Sequence, residues 1–166
     1  PKQASEVDLF VIKRCVRMKE IINSEHIIKN LDDIPFPARE LYQTSQKFRG
    51  HSSRGFTNTL NSTEIFTSRG CPYKCTFCAI VATFKRTVRF RSPDTVFEEI
   101  KEVNKKFAID HIVIADDTFG LKKGRIESLS EKFARSSLKS WSCDTRVDSV
   151  TRESLKIMKA SGCTKV

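Results

Sequence analysis

The amino-acid sequence predicts an α/β fold, a parallel sheet of about three strand–helix units plus the start of a fourth strand. Two observations predict it. From Glu64 onward, short β-rich or apolar runs alternate with longer stretches that carry an apolar stripe at helical spacing. Residues able to do chemistry also fall at the carboxyl end of each run, where the loops of a parallel sheet converge on one mouth.

The first unit opens with Glu64-Ile65-Phe66-Thr67-Ser68, a β-rich run that passes through Arg69-Gly70 into Cys71-Pro72-Tyr73-Lys74-Cys75-Thr76-Phe77-Cys78. Its helix is announced by a Ser92 cap, Pro93 at the first helical position, Asp94 in the first turn and Lys105-Lys106 in the last. Val96, Ile100, Val103 and Phe107 make its buried stripe. In the second unit, Ile109 to Asp116 has the continuous apolar centre of a strand buried on both faces, and Ile126, Leu129 and Phe133 mark the helix. The third unit pairs a strand over Trp141 to Arg146 with a helix capped by Thr151, carrying Leu155, Met158 and Ala160, and closed by Gly162. Cys163 to Val166 begins a fourth strand.

Upstream, Val7 to Ile12 reads as a short buried strand, and the stretch to Lys29 has no clean period. Pro35 and Pro37 force an extended tether over residues 30–37, and residues 43–62 are polar, glycine-containing loop. The division is therefore 1–30 as the tail of a preceding domain, 31–63 as linker and loop, and 64–166 as the strand–helix part. The chain starts without methionine at Pro1 and stops as a strand begins, which leads us to expect a fragment that aggregates or stays molten alone.

Composition sets outer limits. With 39% hydrophobic and 30% charged residues the chain is of the globular class, and its apolar runs are far too short for a membrane span or a signal-peptide core. Six cysteines without an export signal point to a reducing, cytoplasmic setting in which thiols are free to bind metal. A formal charge of +10 favours an anionic partner such as nucleic acid, but the basic residues are scattered and read mostly as solvated surface. His26, His51 and His111 read as structural or surface, and Cys15, Cys143 and Cys163 as buried thiols.

Cys71, Cys75 and Cys78 can face one point in space only if the backbone loops around it, and Gly70 and Pro72 favour the bend. Soft thiolates select zinc, cuprous copper or iron–sulfur clusters, and three of them leave one metal position open. Buried thiols, a disulfide pair, or a zinc site completed by His51 or Cys143 are the competing readings of the same residues.

The CxxxCxxC spacing, with Phe77 just before the last cysteine, resembles the radical S-adenosylmethionine (radical SAM) enzymes over about residues 31 to 166. The resemblance implies that residues 64–166 are the amino-terminal part of an incomplete (β/α) barrel, and that Cys71, Cys75 and Cys78 hold a 4Fe–4S cluster whose fourth iron chelates the amino and carboxylate groups of SAM. It implies that Asp116, Asp117 and Phe119 form the motif after the second strand that serves the SAM amino group, against a plain reading as turn or capping acids. Arg146 would pair with the SAM carboxylate, against an ordinary ion pair with Asp144 or Asp148. Phe77 would lie near the adenine, against simple loop packing.

Leu31-Asp32-Asp33-Ile34-Pro35-Phe36-Pro37-Ala38-Arg39 is similar to the connection that follows an amino-terminal cobalamin-binding domain in one large subfamily. The implied activity is reductive cleavage of SAM to a 5′-deoxyadenosyl radical, or cobalamin-dependent methyl transfer. An electron donor such as flavodoxin or ferredoxin would serve it, with a small-molecule or macromolecular substrate. A tRNA methylthiotransferase is a second reading, supported by the basic stretch Lys85 to Arg91. It is opposed by the absence of proline in Ala79-Ile80-Val81-Ala82 and by the acidic pair after strand two. A non-enzymatic zinc module binding RNA is the third.

Overall fold

The structure, a computed structural model, describes residues 28–41, 61–84 and 86–166. The strand expected at Val7 to Ile12, the loop expected over 43–60, and Cys15, His26, His51 and Lys85 lie outside these residues.

Among the described residues, four parallel strands form the sheet, in the order β1 (Ser62–Ile65), β4 (His111–Ile114), β5 (Ser140–Cys143), β6 (Cys163–Lys165). Three amphipathic helices connect them: α2 (Pro93–Phe107), α3 (Arg125–Ala134) and α4 (Arg152–Ala160). This is the strand–helix alternation read from the sequence, because parallel neighbours require a crossover and the apolar stripe of each helix has the sheet to cover.

Alternation along the strands separates two faces. Ile112 and Ile114 of β4 and Trp141 and Cys143 of β5 join the buried cluster made with Val96, Ile100 and Val103 of α2 and with Ile126, Leu129 and Phe133 of α3. Trp141 sits edge-on to Phe119 and Phe133, with ring centroids 5.6 and 5.0 Å away, and its indole N–H donates to Ser161 O at 3.0 Å. Of the intervening positions, Val113 is apolar, and His111, Ser140 and Ser142 are polar. Buried His111 has Nδ1 2.7 Å from Ser140 Oγ and Nε2 3.0 Å from Ser142 Oγ, which satisfies both ring nitrogens.

The helix caps follow the sequence signals. Ser92 Oγ accepts from Thr95 N at 3.1 Å, Pro93 opens α2, and Ala108 ends it in the left-handed region. Thr151 and Ser154 form a reciprocal capping box on α4. The stripe expected on α4 is narrower than Leu155, Met158 and Ala160: Met158 enters the core, whereas Leu155 stays 40% exposed.

One expected strand is divided. The run Glu64 to Ser68 supplies the end of β1, and then a separate β2 (Ser68–Arg69) pairs antiparallel with β3 (Arg89–Phe90). The cause lies just past β4's carboxyl end, where the Asp116 carboxylate takes the backbone N–H groups of Thr67 and Ser68 and withholds them from the parallel ladder. A short helix, α1 (Ile80–Phe84), follows the cysteine loop and has no counterpart in the sequence reading.

The tether, expected to be extended over residues 30–37, opens instead with a 3-10 turn at Leu31–Asp33 capped by Asn30, and it packs on the strand–helix domain. Asp32 accepts from Ser92 N at 2.9 and 3.1 Å, and Arg39 reaches Glu64 O at 3.0 Å and Glu99 at 2.6 Å. Arg91 meets the other oxygen of Glu99 at 2.5 Å, so that buried carboxylate is clamped between two guanidiniums.

Candidate functional site

The cysteine loop runs between β2 and α1, at the carboxyl end of the sheet. Cys71, Cys75 and Cys78 are free, half-buried thiols, and none is in a disulfide. Gly70, which admits the chain to this loop, has φ +92° and no room for a side chain: a Cβ would lie 2.0 Å from Thr87 O.

The segment after β4 holds the approach to the loop almost residue for residue. Asp116 Oδ1 accepts from Thr67 N at 2.6 Å and Ser68 N at 2.9 Å, and its Oδ2 accepts from Thr67 Oγ1 at 2.5 Å and Ser68 Oγ at 2.7 Å. Asp117 Oδ2 accepts from Gly70 N at 2.8 Å. Thr118 Oγ1 lies 3.4 Å from Cys71 Sγ. Buried Arg125 of α3 adds a hydrogen bond to Thr67 O at 2.7 Å. Burial pushes the Asp116 carboxyl up from its ordinary range, and the four hydrogen bonds oppose that push. Burial likewise pulls Arg125 down, with Asp116 and Asp32 pulling it back.

The segment after β5 holds the middle of the loop. Arg146 stacks over the Tyr73 ring at 4.0 Å, and its Nη1 donates to Cys75 Sγ at 3.6 Å. Tyr73 Oη lies 2.9 Å from Ser149 Oγ, in a short 3-10 turn over Val147–Ser149. The remaining face of Arg146 is occupied by Asp148, with Nε and Nη2 donating at 2.9 and 2.7 Å. That fork raises the guanidinium's pKa and lowers the Asp148 carboxyl.

The residues singled out in the sequence therefore have different surroundings. Cys71, Cys75, Cys78, Asp117 and Arg146 meet at one mouth. Asp116, at 1% exposure, has both oxygens engaged by Thr67 and Ser68. Phe119 is fully buried against Trp141, its N–H on Asp144 O, while Phe77 is 90% exposed. Thr67, Ser68, Thr118, Tyr73 and Ser149 escaped the sequence reading, since isolated hydroxyls carry no spacing signal.

Cys143 lies in the core cluster, with Cys163 packed beside it. Contact with Cys163, then burial, push the Cys143 thiol up, which suits a protonated core residue and not a ligand. Among the described residues no three His, Cys, Asp or Glu side chains gather as a single-ion site. A cubane asks for a different arrangement, because each of its irons takes its own sulfur. Three free thiols on one loop, entered through a glycine with no space for Cβ, are a donor set of that kind.

A parallel strand–helix sheet with a cysteine loop at its carboxyl end defines the class: α/β barrel-type proteins that carry their chemistry at the loop mouth. The radical SAM superfamily model matches residues 65–166, and the chain belongs to that superfamily. It is 31% identical over 138 residues to an uncharacterised methyltransferase of Pyrococcus horikoshii, covering 82% of this chain and 28% of that protein. It is 29% identical over 138 residues to the hopanoid C-3 methylase of Methylococcus capsulatus, covering 80% and 24% of the two chains. The chain thus spans about a quarter of the length of these relatives. Among solved structures, the radical S-adenosylmethionine methyltransferase TsrM from Kitasatospora setae, with cobalamin and a [4Fe-4S] cluster bound, superposes with a TM-score of 0.56 at 18% identity. That match covers 63% of this chain and 21% of TsrM, and it confirms the fold. No described helix is long and apolar enough to cross a membrane.

Proposed function

We propose that this chain forms the SAM-cleaving part of a radical SAM enzyme of the cobalamin-linked methylase kind. The observation that carries the reading is the fixed cysteine loop: its thiols are free, and its approach is held by the segment after β4. Cys71, Cys75 and Cys78 would hold a 4Fe–4S cluster. When bound, that cluster supplies one electron to the sulfonium of SAM, giving methionine and a 5′-deoxyadenosyl radical or supporting methyl transfer through cobalamin.

The chain's own residues orient and shield. Asp117 spends one carboxylate oxygen on Gly70 N and is our candidate for the SAM ammonium through the other. Arg146 is the candidate for the SAM carboxylate, which would replace Asp148 in the guanidinium fork. Phe77, 90% exposed, offers an aromatic face to the adenine. In this reading Asp116 and Phe119 serve the site from behind by fixing the loop and the core.

The methylase relatives support the cobalamin-linked reading, with residues 1–30 as the tail of a preceding domain and 31–63 as the connection. Free thiols suit a cytoplasmic setting and a one-electron donor of the flavodoxin or ferredoxin type. Anaerobic reconstitution tests the proposal. It should yield about four irons and four sulfides per chain, lost in each of Cys71→Ala, Cys75→Ala and Cys78→Ala. Stoichiometric zinc without sulfide, or equal loss in Cys143→Ala, would refute it.

A further inference from the structure

Buried Thr118 lies between two acceptors: Oγ1 is 2.7 Å from Asp117 O and 3.4 Å from Cys71 Sγ. A threonine hydroxyl has one proton to donate. In the structure it goes to the Asp117 carbonyl, which leaves the Cys71 thiol as the donor toward Thr118. A cysteine that ligates iron does so as thiolate and has no proton left to give. The same contact would then set an oxygen lone pair against an anionic sulfur, unless the hydroxyl turned.

Only a turn of the O–H about the Cβ–Oγ1 bond is needed, because Oγ1 already lies beside the sulfur and the backbone of residue 118 is pinned on both sides. Asp117 is tied to Gly70 N at 2.8 Å, and Phe119 N donates to Asp144 O at 2.9 Å. The Phe119 carbonyl also accepts from Thr145 Oγ1 at 2.7 Å. The hydroxyl can leave Asp117 O for the sulfur without the chain moving.

Building on the proposed cluster site, we infer that Thr118 is a positioning residue whose hydroxyl turns from the Asp117 carbonyl to the Cys71 sulfur when the cluster is in place. There it raises the cluster's reduction potential. A hydrogen bond to a ligating sulfur draws off electron density, which favours the reduced form. Arg146 does the same for Cys75 from the other side of the loop, so two of the three sulfurs have a donor from a neighbouring strand end.

The test is a redox titration, followed by electron paramagnetic resonance, of the reconstituted chain with Thr118, Thr118→Val and Thr118→Ser. Thr118→Val keeps the shape and removes the hydroxyl, so its potential should fall below wild type at equal iron content. Thr118→Ser keeps the hydroxyl and should titrate with wild type. An unchanged or higher potential in Thr118→Val, or a fall in Thr118→Ser equal to it, overturns the inference. Should Thr118→Val take up no iron, Thr118→Ala makes the same comparison; if both fail to load while Thr118→Ser loads, the hydroxyl is needed for assembly and the tuning role is wrong. A wild-type chain that takes up no iron overturns the proposed function itself, and this inference with it.

Discussion

Replacing Asp116 separates its two jobs, bonding and charge. Asp116→Ala strands the buried backbone N–H groups of Thr67 and Ser68, which sit 2.6 and 2.9 Å from Oδ1. Each orphaned donor costs about 1–3 kcal/mol, so the loss is roughly 2–6 kcal/mol. The two hydroxyls on Oδ2 lose a partner as well but can turn to other acceptors. Asp116→Asn behaves differently. Its oxygen keeps both N–H groups, and its amide nitrogen donates to the hydroxyls of Thr67 and Ser68, which reverse their role from donor to acceptor. All four bonds survive in neutral form while the penalty of burying a carboxylate is lifted, so the net loss should stay below about 2 kcal/mol. Urea unfolding of the three proteins measures both values. A pH series adds a signature: burial holds the folded carboxyl above its ordinary 3.8, so the folded state keeps a proton that the unfolded state has released. Stability therefore falls as pH rises from 3.8 toward the folded value, and Asp116→Asn lacks that slope. Equal destabilisation by alanine and asparagine would refute the account of the bonding, and equal slopes the account of the charge.

Gly70→Ala should destabilise by more than about 1 kcal/mol and lower iron uptake, because the Cβ collides with Thr87 O and φ +92° is strained for alanine; urea unfolding and iron analysis check both. Glu99→Ala should cost roughly 3–5 kcal/mol in urea by leaving Arg39 and Arg91 close together without their shared carboxylate. Asp117→Ala should weaken SAM binding in calorimetry while Cys71, Cys75 and Cys78 still hold iron, and unchanged affinity would remove Asp117 from the site. Burial keeps the His111 pKa below its ordinary 6.5, so the unfolded state binds the proton first. Stability should fall as pH drops from 6.5 toward the folded value, and His111→Asn should flatten that part of the profile.

The sequence made α2 and α4 and their caps legible because their signals are local: Ser92-Pro93 and Thr151 act within one turn of themselves. The sheet strands were legible from Ile112 and Ile114, whose burial on β4 leaves an apolar run. The break at Phe66-Thr67 was not, because its cause is a carboxylate 49 residues away. The cysteines announced themselves by spacing. Asp116 stood out as half of an acidic pair, but nothing in the pair says which acid turns inward; the fold decides that, and it sends Asp117 to Gly70 N at the mouth. Arg146 was ambiguous between ligand and ion pair, and the structure shows the ion pair, with Nε and Nη2 both given to Asp148.

The long separation between the cysteine loop and its template has a consequence for biosynthesis. Thr67 and Ser68 emerge from the ribosome 49 and 48 residues ahead of the carboxylate that shapes them. At about 5–20 residues per second the wait for that carboxylate is roughly 2–10 s. During it Cys71, Cys75 and Cys78 are already made, and nothing from β4 yet holds their loop. Iron delivered in that interval meets three mobile thiols in place of a formed cradle. In the proposed reading, loading of the loop accordingly belongs after Asp116 and its neighbours have emerged.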